Sequence, residues 1–130
     1  MEAVQLPSIH FHTVREFHEA LVDGMPWDTT DCTKVPDIGE LFAFYQQADE
    51  KLVLTHGDLS SLNILVRGDT VVGIVDWETA GWFPAYWEYT TAKYVNPYNP
   101  FWEEPVDQFV TPRPEEWRME TIRRRYFGDF

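Results

Sequence analysis

The pattern of apolar and polar positions divides the chain into a helical first part, a strand-rich centre and a helical end. From Thr13 to Val22 the apolar residues Val14, Phe17 and Leu21 fall on one face of a helix. Thr13 and Glu16 have the spacing of a capping box, and Asp23-Gly24 supplies a stop. Pro26 to Pro36 reads as a polar, turn-rich connection. A second helix is predicted over Asp37 to Ala48, with Leu41, Phe42 and Tyr45 on its apolar face and Asp37 and Glu40 repeating the capping spacing. From Lys51 the period changes. Leu52-Val53-Leu54 is a short apolar run that stops at the polar His56-Gly57-Asp58. Ile64-Leu65-Val66 and Val71 to Val75 flank the turn-forming Arg67-Gly68-Asp69-Thr70, which predicts a β-hairpin. Beyond Gly81 and Pro84 a helix is predicted through Lys93, broken by Pro97 and Pro100. The last helix is predicted over Pro114 to Phe127. Pro114 suits its first turn, Glu115 and Glu116 the positive end of its dipole, Arg123, Arg124 and Arg125 the negative end, and Gly128 closes it. The expected fold class is α+β, mostly helical, with a small central β-hairpin.

Composition narrows the classes of function. The chain has 130 residues, 44% hydrophobic and 16% aromatic, which suits one globular core rather than disorder. Asp and Glu number 22 against 10 Lys and Arg, a formal net charge of -12. Such a charge repels nucleic-acid phosphates and anionic membrane surfaces, so neither is expected as a partner. It is compatible with a cationic substrate, although a solvated acidic surface is the plainer reading. A single cysteine, Cys32, excludes an internal disulfide and points to a reducing compartment. The opening Met1-Glu2-Ala3 is unlike a signal peptide, and no stretch of about 18 apolar residues occurs, so a cytoplasmic location is expected.

The chemistry concentrates between Leu54 and Tyr89. His56, Asp58, Asn63 and Asp76 stand at the ends of apolar strands, where a rigid scaffold presents polar side chains to a cleft. Asn63 opens one strand of the predicted hairpin and Asp76 ends its antiparallel partner, so both belong at the same edge. Asp58 lies on the loop entering that edge. Two carboxylates and an amide converging there offer oxygen ligands to a hard cation such as Mg2+. Phosphoryl transfer needs this set: one carboxylate to orient and deprotonate the attacking hydroxyl, a second carboxylate and an amide to hold magnesium.

The ordered stretches H-G-D-L-S-S-L-N (His56 to Asn63), V-D-W-E (Val75 to Glu78) and G-W-F-P (Gly81 to Pro84) resemble the aminoglycoside phosphotransferase family, which shares its fold with choline kinases and protein kinases. His56 to Asn63 also matches the protein-kinase catalytic loop except for Gly57, and Asp76-Trp77-Glu78 stands where D-F-G would. The resemblance covers most of the chain and implies the C-terminal lobe of a protein kinase-like fold, with ATP and Mg2+ as cofactors and a small-molecule hydroxyl as acceptor. It implies that Asp58 is the catalytic base and that Asn63 and Asp76 bind the magnesium and, through it, the nucleotide. His56 becomes a structural brace of the loop, Glu88 an acidic anchor from the following helix, and Trp77 the counterpart of the motif's packing Phe. Family members place a nucleotide-covering lobe ahead of these elements. No G-x-G and no G-x-x-x-x-G-K-[ST] occurs in this chain, and Lys34 and Lys51 fall on apparent loops. The expectation is a single partial domain over residues 1–130, without the N-terminal nucleotide lobe, that is completed by a separate lobe or partner. The alternative is a non-catalytic pseudoenzyme or truncated remnant serving as a binding module.

Other candidates carry less. His10 and His12 form an H-x-H pair without a partner at metal-ligand spacing. A metal-hydrolase site ranks low, because H-x-H-x-D and H-E-x-x-H spacings are missing. Tyr86, Trp87, Tyr89, Tyr94, Tyr98, Phe101 and Trp102 form an aromatic run, read as core packing ahead of a cation cage. The Arg123 to Arg125 cluster is read as helix-end electrostatics, and Cys32 has no basic neighbour closer than Lys34 to activate it.

Overall fold

The computed structural model describes residues 11–27, 29–48, 51–94 and 100–128. Helices α1 (Val14–Leu21) and α2 (Pro36–Gln47) come first. Strands β1 (Leu52–Thr55), β2 (Ile64–Arg67), β3 (Thr70–Ile74) and β4 (Gly81–Pro84) follow. Helices α3 (Trp87–Tyr94), α4 (Val106–Phe109) and α5 (Pro114–Phe127) complete the order, with a short 3-10 turn at Pro100–Trp102. The α+β, mostly helical class is as expected, and the predicted hairpin is the β2–β3 pair.

Helix α1 begins as its sequence directs. Thr13 adopts extended backbone and its hydroxyl accepts the Glu16 N–H at 3.1 Å. The Glu16 carboxylate reaches back one residue further than a capping box requires and accepts the His12 N–H at 3.0 Å. Helix α2 departs from expectation. Pro36 occupies its first turn and Val35 is the cap residue, with no side-chain cap bond. Asp37 and Glu40, read as a capping pair, instead meet Arg125 and Arg118 of α5. Tertiary pairing across two helices has taken the carboxylates that local spacing assigned to the cap. Helix α5 occupies the predicted span, and Gly128 closes it with φ at 79° and its N–H on the Arg124 carbonyl at 3.0 Å.

The four strands form two separate antiparallel pairs, β1 with β4 and β2 with β3. Gly68 and Asp69 form a two-residue loop between the paired Arg67 and Thr70, and Gly68 takes φ +65, as a tight hairpin turn requires of its first central residue. The register shifts between Leu65 and Val66, so β3 carries one extra residue there. Strand β4 has no counterpart among the predicted elements, in which Gly81 and Pro84 only precede a helix. It pairs over its whole length with β1, Thr55 opposite Gly81 and Leu52 opposite Pro84. The helix that follows starts at Trp87 and runs to Tyr94. Pro97, assigned to its end, lies outside the described residues.

Three apolar clusters hold these parts together. Val22, Trp27, Ile38, Leu41, Phe42 and Tyr45 meet Met119 and Ile122, joining α2 to α5. Phe17 and Leu21 of α1 meet Tyr86 and Trp87, with Phe83 of β4 packed alongside. Ala92, Trp102 and Val106 form the third, under Leu59 and Ile64. Each fully buried large side chain is worth about 1.5–3 kcal/mol. Tyr86, Trp87 and Tyr89 of the aromatic run are buried, as core packing requires, whereas Phe101 is exposed. Arg123 is also buried, which helix-end electrostatics does not explain. Its guanidinium donates to both oxygens of the equally buried Glu120, at 2.5 and 2.8 Å, and to the Gly128 carbonyl at 3.0 Å.

The strand pairs contrast with this core. Leu54, Leu65, Val66, Val71, Val72 and Trp82 are all exposed. Both faces of the β2–β3 ribbon carry such residues, a pattern that suits strands covered on both sides. No helix among the described residues is long and apolar enough to cross a membrane.

Candidate active site

The His56 to Asn63 loop joins β1 to β2, and the chain leaving β3 returns beside it. Val75 donates to the Asn63 carbonyl at 2.8 Å, one step past the β2–β3 ladder, so Asp76 emerges next to the residue that opens β2. Asn63 is buried and its Nδ2 donates to the Asp58 carbonyl at 2.9 Å and to Asp58 Oδ2 at 3.3 Å. Asp58, Asn63 and Asp76 thus meet at one edge, as their positions in the sequence predicted. Asp76 holds φ at +62, a left-handed conformation that L-residues other than Asn and Asp rarely adopt. Strain of this kind recurs at functional turns, at a cost of about 1–3 kcal/mol.

The loop is braced from three sides. The Glu88 carboxylate, at the start of α3, accepts the His56 N–H at 2.7 Å and the Gly57 N–H at 3.0 Å. The His56 ring is buried, and its Nε2–H donates to the Val75 carbonyl at 2.9 Å while Nδ1 accepts the Asp58 N–H at 3.1 Å. Both partners agree on the tautomer protonated at Nε2, since a carbonyl only accepts and an amide N–H only donates. Trp77 sets its ring edge against His56, centroids 4.6 Å apart, and donates through Nε1 to the Ile74 carbonyl at 2.8 Å. From below, Trp102 Nε1 donates to the Leu59 carbonyl at 3.0 Å. His56 and Glu88 thus both bond the loop, Glu88 from α3 and His56 to Val75, just past β3.

Gly57 replaces the Arg of the protein-kinase motif for a steric reason. Its φ is +86, and a Cβ there would lie 2.8 Å from the Thr79 carbonyl oxygen. Neither the conformation nor the space admits a side chain.

Electrostatics single out Asp58. Partial burial pushes its carboxyl above the ordinary value, and the charge of Asp76 pushes the same way; the Asn63 amide and the His56 ring pull against them. The negative charge of Asp58 and Asp76 on one edge favours a cation beside them.

The donor set decides which cation fits. Among the described residues no group of three or more His, Cys, Asp or Glu side chains assembles. That disfavours zinc, which takes nitrogen and sulfur ligands in a closed set. Asn63 spends its nitrogen on Asp58, which leaves the amide oxygen as the atom for a metal. One carboxylate and one amide oxygen suit Mg2+, which keeps waters and takes phosphate oxygens for the rest of its shell.

The arrangement of helices and small sheets is that of a kinase-like fold. Residues 2–120 match the family model described as the phosphotransferase enzyme family, and the chain belongs to that family. Among solved structures it is similar to a thermostable mutant of aminoglycoside phosphotransferase APH(4)-Ia in ternary complex with ADP and hygromycin B. The TM-score is 0.60 and the identity 21%, over 87% of this chain and 42% of that one. The chain therefore spans less than half the length of that structure. No curated protein matches.

Two contributors escaped the sequence reading. Thr79 donates its hydroxyl to the His56 carbonyl at 3.0 Å, a contact between turns that no local pattern encodes. Trp102 had been assigned to a run of aromatic residues without a link to the loop it supports. His12 faces Glu16 through its backbone, and His10 lies outside the described residues.

Proposed function

We propose that this chain is the catalytic lobe of an ATP-dependent kinase that transfers a phosphoryl group to a hydroxyl of a small molecule. The observation that carries it is the meeting of Asp58, Asn63 and Asp76 at one edge, on a loop braced by His56 and Glu88. Asp58 accepts the proton of the acceptor hydroxyl and orients its oxygen, and a carboxyl raised above its ordinary value is better matched to that task. Asn63 and Asp76 would hold Mg2+, and the ion would supply neutralisation of charge on the phosphates. His56 and Glu88 keep the loop in register through bonds to its backbone and to the Val75 carbonyl.

A second lobe, in the same polypeptide or a separate one, completes the nucleotide site. Support comes from the exposed apolar residues of both strand ribbons, Leu65, Val66, Val71 and Val72 among them, and from a match to 42% of the ADP-bound structure. Isolated two-stranded ribbons are marginal in water, and a covering lobe would bury them. The same exposed ribbons favour one other reading, a binding module without catalysis that docks a partner there.

Phosphoryl transfer from ATP to a panel of hydroxylated small molecules, with the covering lobe supplied, separates the two. The expected result is transfer that falls by about 10²–10⁴ in Asp58→Ala, the range for loss of a general base. Undiminished transfer in Asp58→Ala contradicts the assignment, and no transfer in either protein supports the binding module.

A further inference from the structure

The loop with Asp58 and the turn with Asp76 lie 18 positions apart in sequence, yet a side chain of the turn reaches the loop backbone directly. The turn following Asp76 closes through the Ala80 N–H on the Trp77 carbonyl at 3.0 Å. It presents Thr79, whose Oγ1–H donates to the His56 carbonyl at 3.0 Å. The Thr79 carbonyl faces the bare Cα of Gly57, with room for nothing larger than hydrogen. Other ties between loop and turn run through the His56 ring, to the Val75 carbonyl and to Trp77, and through the Val75 N–H on the Asn63 carbonyl at 2.8 Å. Thr79 ties the turn to the loop backbone at the His56 carbonyl.

We propose that Thr79 is a positioning residue that locks the Asp58 loop to the Asp76 turn and so sets the separation of the base from the metal-holding carboxylate. The second half rests on the functional reading above; the lock itself does not. The charges of Asp58 and Asp76 repel each other, and that repulsion tends to part the loop from the turn. A hydroxyl bonded across the gap resists the parting, and Gly57 lets the two backbones approach closely enough for the bond to form. The pairing of Gly57 with Thr79 thus accounts for a glycine and a hydroxyl that the chemistry itself does not use.

Thr79→Val keeps the branched shape and loses the hydroxyl; Thr79→Ser keeps the hydroxyl and loses the methyl. Amide hydrogen exchange in the ¹⁵N-labelled chain reads the lock without any ligand. In Thr79→Val the amides of Asp58 and Ala80 should exchange about fivefold faster, the effect of one lost hydrogen bond. Thr79→Ser should exchange as the native chain does. Unchanged exchange in Thr79→Val, or equal acceleration in both variants, overturns the lock. Mn2+ binding, followed by water-proton relaxation, reads the second half. Affinity about fivefold weaker in Thr79→Val and restored in Thr79→Ser supports it. A native chain that takes up no Mn2+ overturns the metal-holding half whatever the exchange rates show.

Discussion

Glu88 holds the backbone of His56 in place: its carboxylate accepts the His56 N–H at 2.7 Å and, through its other oxygen, the Gly57 N–H at 3.0 Å. The first turn of α3 thereby fixes the loop on which Asp58 sits. Both amides are satisfied by one side chain 31 and 32 residues away, so no local turn substitutes for it.

Removing that carboxylate should leave two donors unpaired in a partly buried loop. At about 1–3 kcal/mol for each, Glu88→Ala should lower stability by about 2–6 kcal/mol. Glu88→Gln retains one acceptor and should lose about half as much. Urea unfolding measures both, and equal stability of Glu88→Ala and the native chain would show that the loop holds itself.

Acid stability should carry the signature of His18. The ring is fully buried, stacked on Tyr45 at 4.0 Å, and its Nε2 meets the Tyr86 hydroxyl at 2.8 Å. Burial pushes its pKa from 6.5 down to about 3. The unfolded chain therefore takes up a proton near pH 6.5 that the folded chain refuses. This contribution to stability is whole above pH 6.5 and declines as the pH falls towards 3. The slope is about 1.4 kcal/mol per pH unit, so about 2 kcal/mol should be lost between pH 6.5 and 5. Unfolding free energies of the native chain and His18→Phe, taken across that interval, should diverge from each other by this amount. Parallel profiles would contradict it.

The Glu120–Arg123 pair should behave as a unit. Glu120→Ala strands a buried guanidinium and should cost about 3–5 kcal/mol, whereas replacing both residues by apolar side chains of similar volume should cost far less. Chemical denaturation of the single and double variants provides the comparison. A double variant as unstable as Glu120→Ala would mean that the pair is needed for its hydrogen bonds, to Gly128 and from Arg124, rather than for charge balance between its two members.

What was legible in the sequence follows the range of the forces involved. Helix α5 was read to the residue because Pro114 and Gly128 act on their own backbone, and the β2–β3 hairpin because Gly68-Asp69 turns the chain locally. The gathering of Asp58, Asn63 and Asp76 followed from that hairpin. Strand β4 was missed because Gly81 and Pro84 are poor strand formers, and only pairing with β1 makes the segment extended. Asp37 and Glu40 were misread because Arg125 and Arg118, 88 and 78 residues away, compete for them. Thr79 and Trp102 support the site through contacts with loop carbonyls that leave no trace in spacing.

Thermal unfolding with and without Mg2+ and ATP, repeated on Asp76→Ala, tests the central claim most directly. Ligand at about 100 times its dissociation constant adds roughly 2.7 kcal/mol to the stability of a protein that binds it. A rise in melting temperature that requires Mg2+ and disappears in Asp76→Ala is the expected result. Identical melting of both proteins with and without Mg2+ and ATP would contradict a magnesium–nucleotide site at Asp76.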